Sequence, residues 1–202
     1  GSYTFSGGYG RGDVSAAGIN FNYRKNAFNL YGDYAFSRQA QEQVFLIDRQ
    51  VVLDGQTIRT DTRTDREPVQ RNHNARVGVD LNLGPKTVLG ALVSGYDNRW
   101  SMDALNGSTI ALNGQPDTLL TIDNDEVNHW KHLGANLNLQ HTFREEELLS
   151  FDADYLQYDN KNPTNYRIDY ADGSGNFLFR EQTFSGKVTP IRVGVGKLDY
   201  TK

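Results

Sequence analysis

Two histidines and a few close carboxylates are the residues of this 202-residue chain whose types and spacing could do chemistry. His129 and His132 stand three apart, the spacing of a metal pair on a helix turn. On a β-strand, however, positions i and i+3 point to opposite faces, so the pair cannot chelate jointly. Asp152 and Asp154 share one face of a strand about 7 Å apart, a separation found between the paired carboxylates of glycoside hydrolases. Asp123, Asp125 and Glu126 form an acidic cluster without the spaced ligands and glycine of a calcium loop. No nucleophile elbow, phosphate loop or zinc-protease helix motif is present. The carboxylates read as solvated charge, and the chain reads as a non-enzyme with no cofactor or metal site.

The positioning elements are strands. From Ala75 to Ser94 two apolar-alternating runs flank Gly84-Pro85-Lys86. In the first run Ala75, Val77, Val79, Leu81 and Leu83 share one face, and Arg76, Gly78, Asp80 and Asn82 the other. Glycine and proline supply turn chemistry, so the unit is a hairpin with one apolar face. The same unit recurs about Lys25 and about Glu145, so the three turn centres lie 60 residues apart. A repeated supersecondary unit sets the architecture. A fourth centre would fall just past Lys202, so the chain is expected to stop where another hairpin was about to turn.

Composition fits sheets that are apolar on one side only. Hydrophobic residues make up 37%, with 11 Tyr, 10 Phe and 20 Gly. The net charge of −4 argues against a nucleic-acid surface. The absence of cysteine excludes disulfides and thiolate metal sites. No run approaches a membrane helix, which leaves a membrane barrel open, because its strands alternate.

Eight long strands are expected, over 3–10, 14–24, 27–37, 73–83, 87–97, 127–141, 147–158 and 187–200. Short turns join the hairpins internally. Connections of about 25 to 35 residues join them to each other. The first, Arg38 to Gln70, reads as strand extensions capped by a mobile loop, with a hairpin signal at Asp54-Gly55. The second, Met102 to Asp125, carries another at Asn113-Gly114. Asp159 to Asn165 reads as a loop, followed by an exposed hairpin around Ala171 to Gly175. Such an asymmetry of short turns and long connections fits an outer-membrane barrel. Lumen-facing positions are then Arg76, Asp80, Asn82, Asn136, Asn138, Asp152 and Asp154. Lipid-facing positions are Ile19, Phe21, Val77, Val79, Leu81, Leu137, Leu139 and Phe151. Tyr23, Phe28, Tyr34, Phe36, Tyr96, Trp100, Trp130, Phe143, Tyr155 and Tyr158, near run ends, are candidates for aromatic girdles.

Asn22 to Lys25 running into Phe28 to Gly32, His73 to Asp80 with Lys86 to Gly90, and Asp152 to Tyr155 resemble the outer membrane protein beta-barrel family, a TonB-dependent-receptor-like group of Gram-negative bacteria. The resemblance covers nearly the whole chain. It implies the N-terminal part of a barrel, with Tyr3 to Gly10 as the first strand after a plug domain and more strands beyond Lys202. Eight strands would also suffice to close a small barrel.

The resulting expectation is an all-β chain: an antiparallel meander of about eight hairpin-connected strands, one barrel segment over 1–202 with no plug or helical domain. Its function would be uptake of an unidentified ligand across the outer membrane. Its partners would be outer-membrane lipid, that ligand, and the TonB system through a plug lying outside these residues. The exposed sheet edges would favour self-association. The alternative is a soluble all-β module that binds ligands through its long loops.

Overall fold

A sheet needs backbone partners more than it needs a core, and nearly every residue of this chain has them. The computed structural model describes residues 1–202 and contains nine antiparallel strands and no helix. They are β1 (Ser2–Gly10), β2 (Gly12–Lys25), β3 (Phe28–Ala40), β4 (Gln43–Leu53), β5 (Gln56–Asn82), β6 (Thr87–Leu112), β7 (Gln115–Arg144), β8 (Glu147–Asp172) and β9 (Phe177–Thr201). Of 153 backbone–backbone hydrogen bonds, 145 lie within these strands. The sheet runs β1-β2-β3-β5-β6-β7-β8-β9, an eight-strand meander, with β4 paired to β5 off that path. It is not closed: β1 and β9 are edges.

The edge of β5 that faces β3 is shared. Val69 to Leu81 pair with β3, and Gln56 to Arg66 pair with β4. Pro68 falls at the junction. Its carbonyl accepts from Gln41 N at 3.2 Å, so its donor-less nitrogen faces the gap between β3 and β4. Proline is tolerated where no ladder bond is lost.

Of the two long connections, 38–70 consists of strand extensions as expected but closes in a two-residue turn at Asp54-Gly55 rather than a mobile loop, and 102–125 is strand throughout about its expected turn. No link between strands exceeds four residues. β3 and β4 with β5 fill 38–70, and β6 with β7 fills 102–125 around the expected Asn113-Gly114 turn. Both Asp54-Gly55 (φ 49° and 79°) and Asn113-Gly114 (φ 48° and 83°) have the left-handed pair that a tight hairpin requires. The stretch 159–165 is also strand, in β8. Pro163 interrupts the β7–β8 ladder there, and side-chain amides bridge the gap. Asn162 Nδ2 donates to Val127 O at 2.9 Å, and Asn160 Nδ2 to His129 O at 3.3 Å. Asparagine and proline, which read as loop chemistry, here repair and interrupt a ladder.

β5 to β9, with 25 to 30 residues each, far exceed the spans expected of them, whereas β1 to β4 have 9 to 14; β7, with 30, is about 100 Å long at the usual rise. Only nine of 202 residues are buried, and the accessible surface is 13727 Å². A globular chain of this mass would expose about 9,500 Å². No second layer covers either face, so the sheet has no core of its own.

Replacing Gly114 with Val should place a β-branched residue at φ 83° and cost about 1–2 kcal/mol. A denaturant midpoint in detergent, compared with Gly107→Val in the extended part of β6, checks this.

Candidate binding face

Register sorts the side chains of each strand onto two faces. Leu30, Val79, Ala91, Leu137 and Ala153 lie directly opposite one another across five strands. Their neighbours Phe28, Leu81, Leu89, Leu139, Phe151 and Leu198 form the next row, toward the short turns. Ile19, Phe21, Val77, Val79, Leu81, Leu137, Leu139 and Phe151 therefore share one apolar face. Arg76, Asp80, Asn82, Asn136, Asn138, Asp152 and Asp154 all share the other. On β9 the parity departs from the pattern. Val193 and Val195 oppose Leu156 and Asp154 on the polar face, while Gly194 and Gly196 lie across from Tyr155 and Ala153 on the apolar one.

The polar face is knitted by amides. Asn22 donates to Asn29 at 3.1 Å, and Asn29 to Asp80 at 3.0 Å. Asn138 donates to Asn136 at 3.0 Å, and Asn136 to Asp154 at 2.7 Å. Arg76 pairs with Asp33 on β3. Gly90 is required beneath this network: a Cβ there would stand 2.5 Å from Asn138 Oδ1. The carboxylate of Asp154 is thus occupied by a neighbouring amide.

The two histidines separate as strand parity requires. His129, on the apolar-belt side, places Nε2 2.6 Å from Asp97 Oδ1, beside Lys131 at 3.2 Å from the same carboxylate. His132, on the polar side, lies between Tyr96 and Tyr158, with centroids 5.1 and 4.4 Å away. Asp123 and Asp125 likewise part from Glu126. Asp123 pairs with Arg167, and Asp125 opposes Asp103.

Sequence reasoning missed the band above this network. Tyr96, Trp100, Trp130 and Tyr158, assigned to girdles, have the parity of the polar face. They stand in register rows with amides: Asn72–Asn98–Trp130–Asn160, and Asn74–Tyr96–His132–Tyr158. Tyr96, Trp100 and Trp130, with Gln70, Asn72, Asn98, Arg99 and Asn128, line a shallow depression of about 250 Å³. The band carries no carboxylate, lysine or arginine on this face across β6, β7 and β8. Flat rings and amide pairs suit an uncharged polar ligand, through stacking and hydrogen bonds. Counting parity through 96–100 and 128–132 would have found it, since Asn98, Trp100, Asn128 and Trp130 are all even positions.

No family model matches this chain, and no curated protein matches it.

Far along the strands Asp103 opposes both Glu67 and Asp125. Partial desolvation, then the hydrogen bond and charge of Asp125, push its carboxyl above the usual range. The native state therefore holds that proton more tightly than the unfolded chain. Its stabilising contribution is fully present below the ordinary aspartate range and is lost as pH rises through the raised value. Melting temperature in detergent should fall over that window, and Asp103→Asn should flatten the fall.

Proposed function

We propose that this sheet is a wall of an outer-membrane β-barrel of the receptor or transporter type, taking up a ligand across the outer membrane. The observation that carries the reading is a one-layer sheet with a continuous apolar belt on one face and an amide-rich face opposite, with no core between layers. From His73 to Leu83 the belt covers about 33 Å of strand. At a tilt of about 40° that is about 25 Å of height, the band that an outer-membrane barrel presents to lipid. The short turns at Asn26-Ala27, Leu83–Lys86 and Glu145-Glu146 sit at one border of the belt. At the other border the strands continue for up to some fifteen residues as paired hairpins. In this reading those hairpins, not mobile loops, project from the membrane, and the Trp100–Trp130 band faces the ligand path.

No helix of the structure is long and apolar enough to cross a membrane, so any crossing is made by strands. The resemblance to TonB-dependent-receptor-like barrels supports uptake as the activity and a plug-borne TonB contact as its energy source. Further strands, or a second copy, would cover the edges at β1 and β9, since open sheet edges do not persist in hydrocarbon.

Val77, in the middle of the belt, is half exposed and opposes an equally exposed Val93. Val77→Arg should cost about 2–4 kcal/mol of folding stability in bilayers. Leu81→Arg, closer to the short turn, should cost less, and Asn138→Arg on the opposite face less still. Folding titrations in phosphatidylcholine vesicles measure all three. Equal costs on the two faces would refute the belt, as would a detergent-free monomer by light scattering.

A further inference from the structure

Just beyond the apolar belt, on the same face, lies a row of cations in register. Arg38 opposes Arg71, Arg71 opposes Arg99, Arg99 opposes His129, and His129 opposes Lys161. Five consecutive strands of the meander thus present a basic side chain at one height. Like charges set directly opposite each other on a sheet repel, so something must offset them.

Within the chain only part of the row is offset. Arg38 pairs with Asp13, and His129 with Asp97. Arg71, Arg99 and Lys161 are exposed and take part in none of the chain's ion pairs or side-chain hydrogen bonds. The anions on this face lie in other rows. Asp97 is held by His129 and Lys131. Asp159, beside Lys161, accepts from Gln157 at 2.8 Å. Glu67, Asp103 and Asp125 form a separate row four residues further out along the strands.

Two rows below the cations, past the row of His73, Asp97, Lys131 and Asp159, the apolar face is indented, with His73 and Asp97 at the upper rim of the indentation. Gly95 lacks a side chain between Ala75 and Leu133, which leaves a depression of about 360 Å³ bordered also by Tyr34, Val77 and Val93. Almost all of its wall is carbon. From Ala75 to Arg71 is about 13 Å along the strand. A cationic rim above an apolar groove fits a molecule with acyl chains below and a phosphate above.

We propose that Arg71, Arg99 and Lys161 bind the phosphate groups of membrane lipids, with an acyl chain lying in the groove at Gly95. The proposal rests on the belt being the lipid-facing surface, and it names which lipids that surface selects. Guanidinium groups hold phosphate oxygens in bidentate fashion, and lysine contributes a point charge.

The test is flotation of the whole folded chain with vesicles of phosphatidylcholine alone, and with vesicles that also contain phosphatidylglycerol. The expected result is a preference for the anionic vesicles that weakens with salt. In the triple variant Arg71→Gln, Arg99→Gln, Lys161→Gln that partition should fall of the order of 100-fold, with binding to phosphatidylcholine unchanged. Arg99→Gln alone should lose about fivefold and guards against misfolding of the triple variant, whose strand content is checked by circular dichroism. Removing three unpaired like charges should leave the melting temperature in detergent unchanged or higher. A triple variant that keeps the anionic preference, or a parent chain without one, overturns the proposal while leaving the belt intact. A chain that floats with neither vesicle overturns the belt and the lipid site together.

Discussion

A sheet one layer thick has nowhere of its own to hide an apolar face, and the rest of this structure follows from that constraint. In a sandwich the inner faces of two sheets cover each other; here only nine residues are buried. Backbone pairing holds the strands together, and side chains contribute across neighbouring strands rather than through a core. Val77 against Val93 and Leu139 against Phe151 are contacts of this kind. Each contributes a few tenths to about 1 kcal/mol, so stability is spread along the ladder. The apolar belt remains exposed until lipid or another layer covers it.

The same constraint gives each face its chemistry. Alternation lets one strand carry leucine and valine on one side and asparagine and aspartate on the other without conflict. On the polar side the amides use one another as partners, and the carboxylates of Asp80 and Asp154 accept from Asn29 and Asn136. On the apolar side the sequence changes character along the strand, from belt to cation row to acidic row. Such layering along one direction is what a surface needs when it passes from hydrocarbon through headgroups into water.

The long hairpins beyond the belt depend on ladder completeness. Where the ladder fails, side chains or geometry compensate. Pro68 turns its missing donor into the gap between β3 and β4, and Asn160 and Asn162 bridge around Pro163. Ion pairs such as Arg180–Asp169 at 2.5 Å and Arg59–Asp48 at 2.5 Å link adjacent strands in this zone. They are exposed, so they add little stability but help to keep register.

The sequence by itself determined the strand parity, the all-β class, the three short turns and the hairpin signals at Asp54-Gly55 and Asn113-Gly114. These are local: a period of two and a residue able to take a positive φ need no distant partner. Only the tertiary structure decided that 159–165 is strand and that the extensions and hairpins of 38–70 and 102–125 are strand throughout. Asn, Asp and Pro are disfavoured in strands, and what holds them extended is a neighbouring strand already in place. Register between strands was equally out of local reach. It brings Trp100 and Trp130, whose face parity already gives, beside the amides of neighbouring strands, and it alone aligns Arg71, Arg99 and Lys161, which are far apart in the chain, into one row.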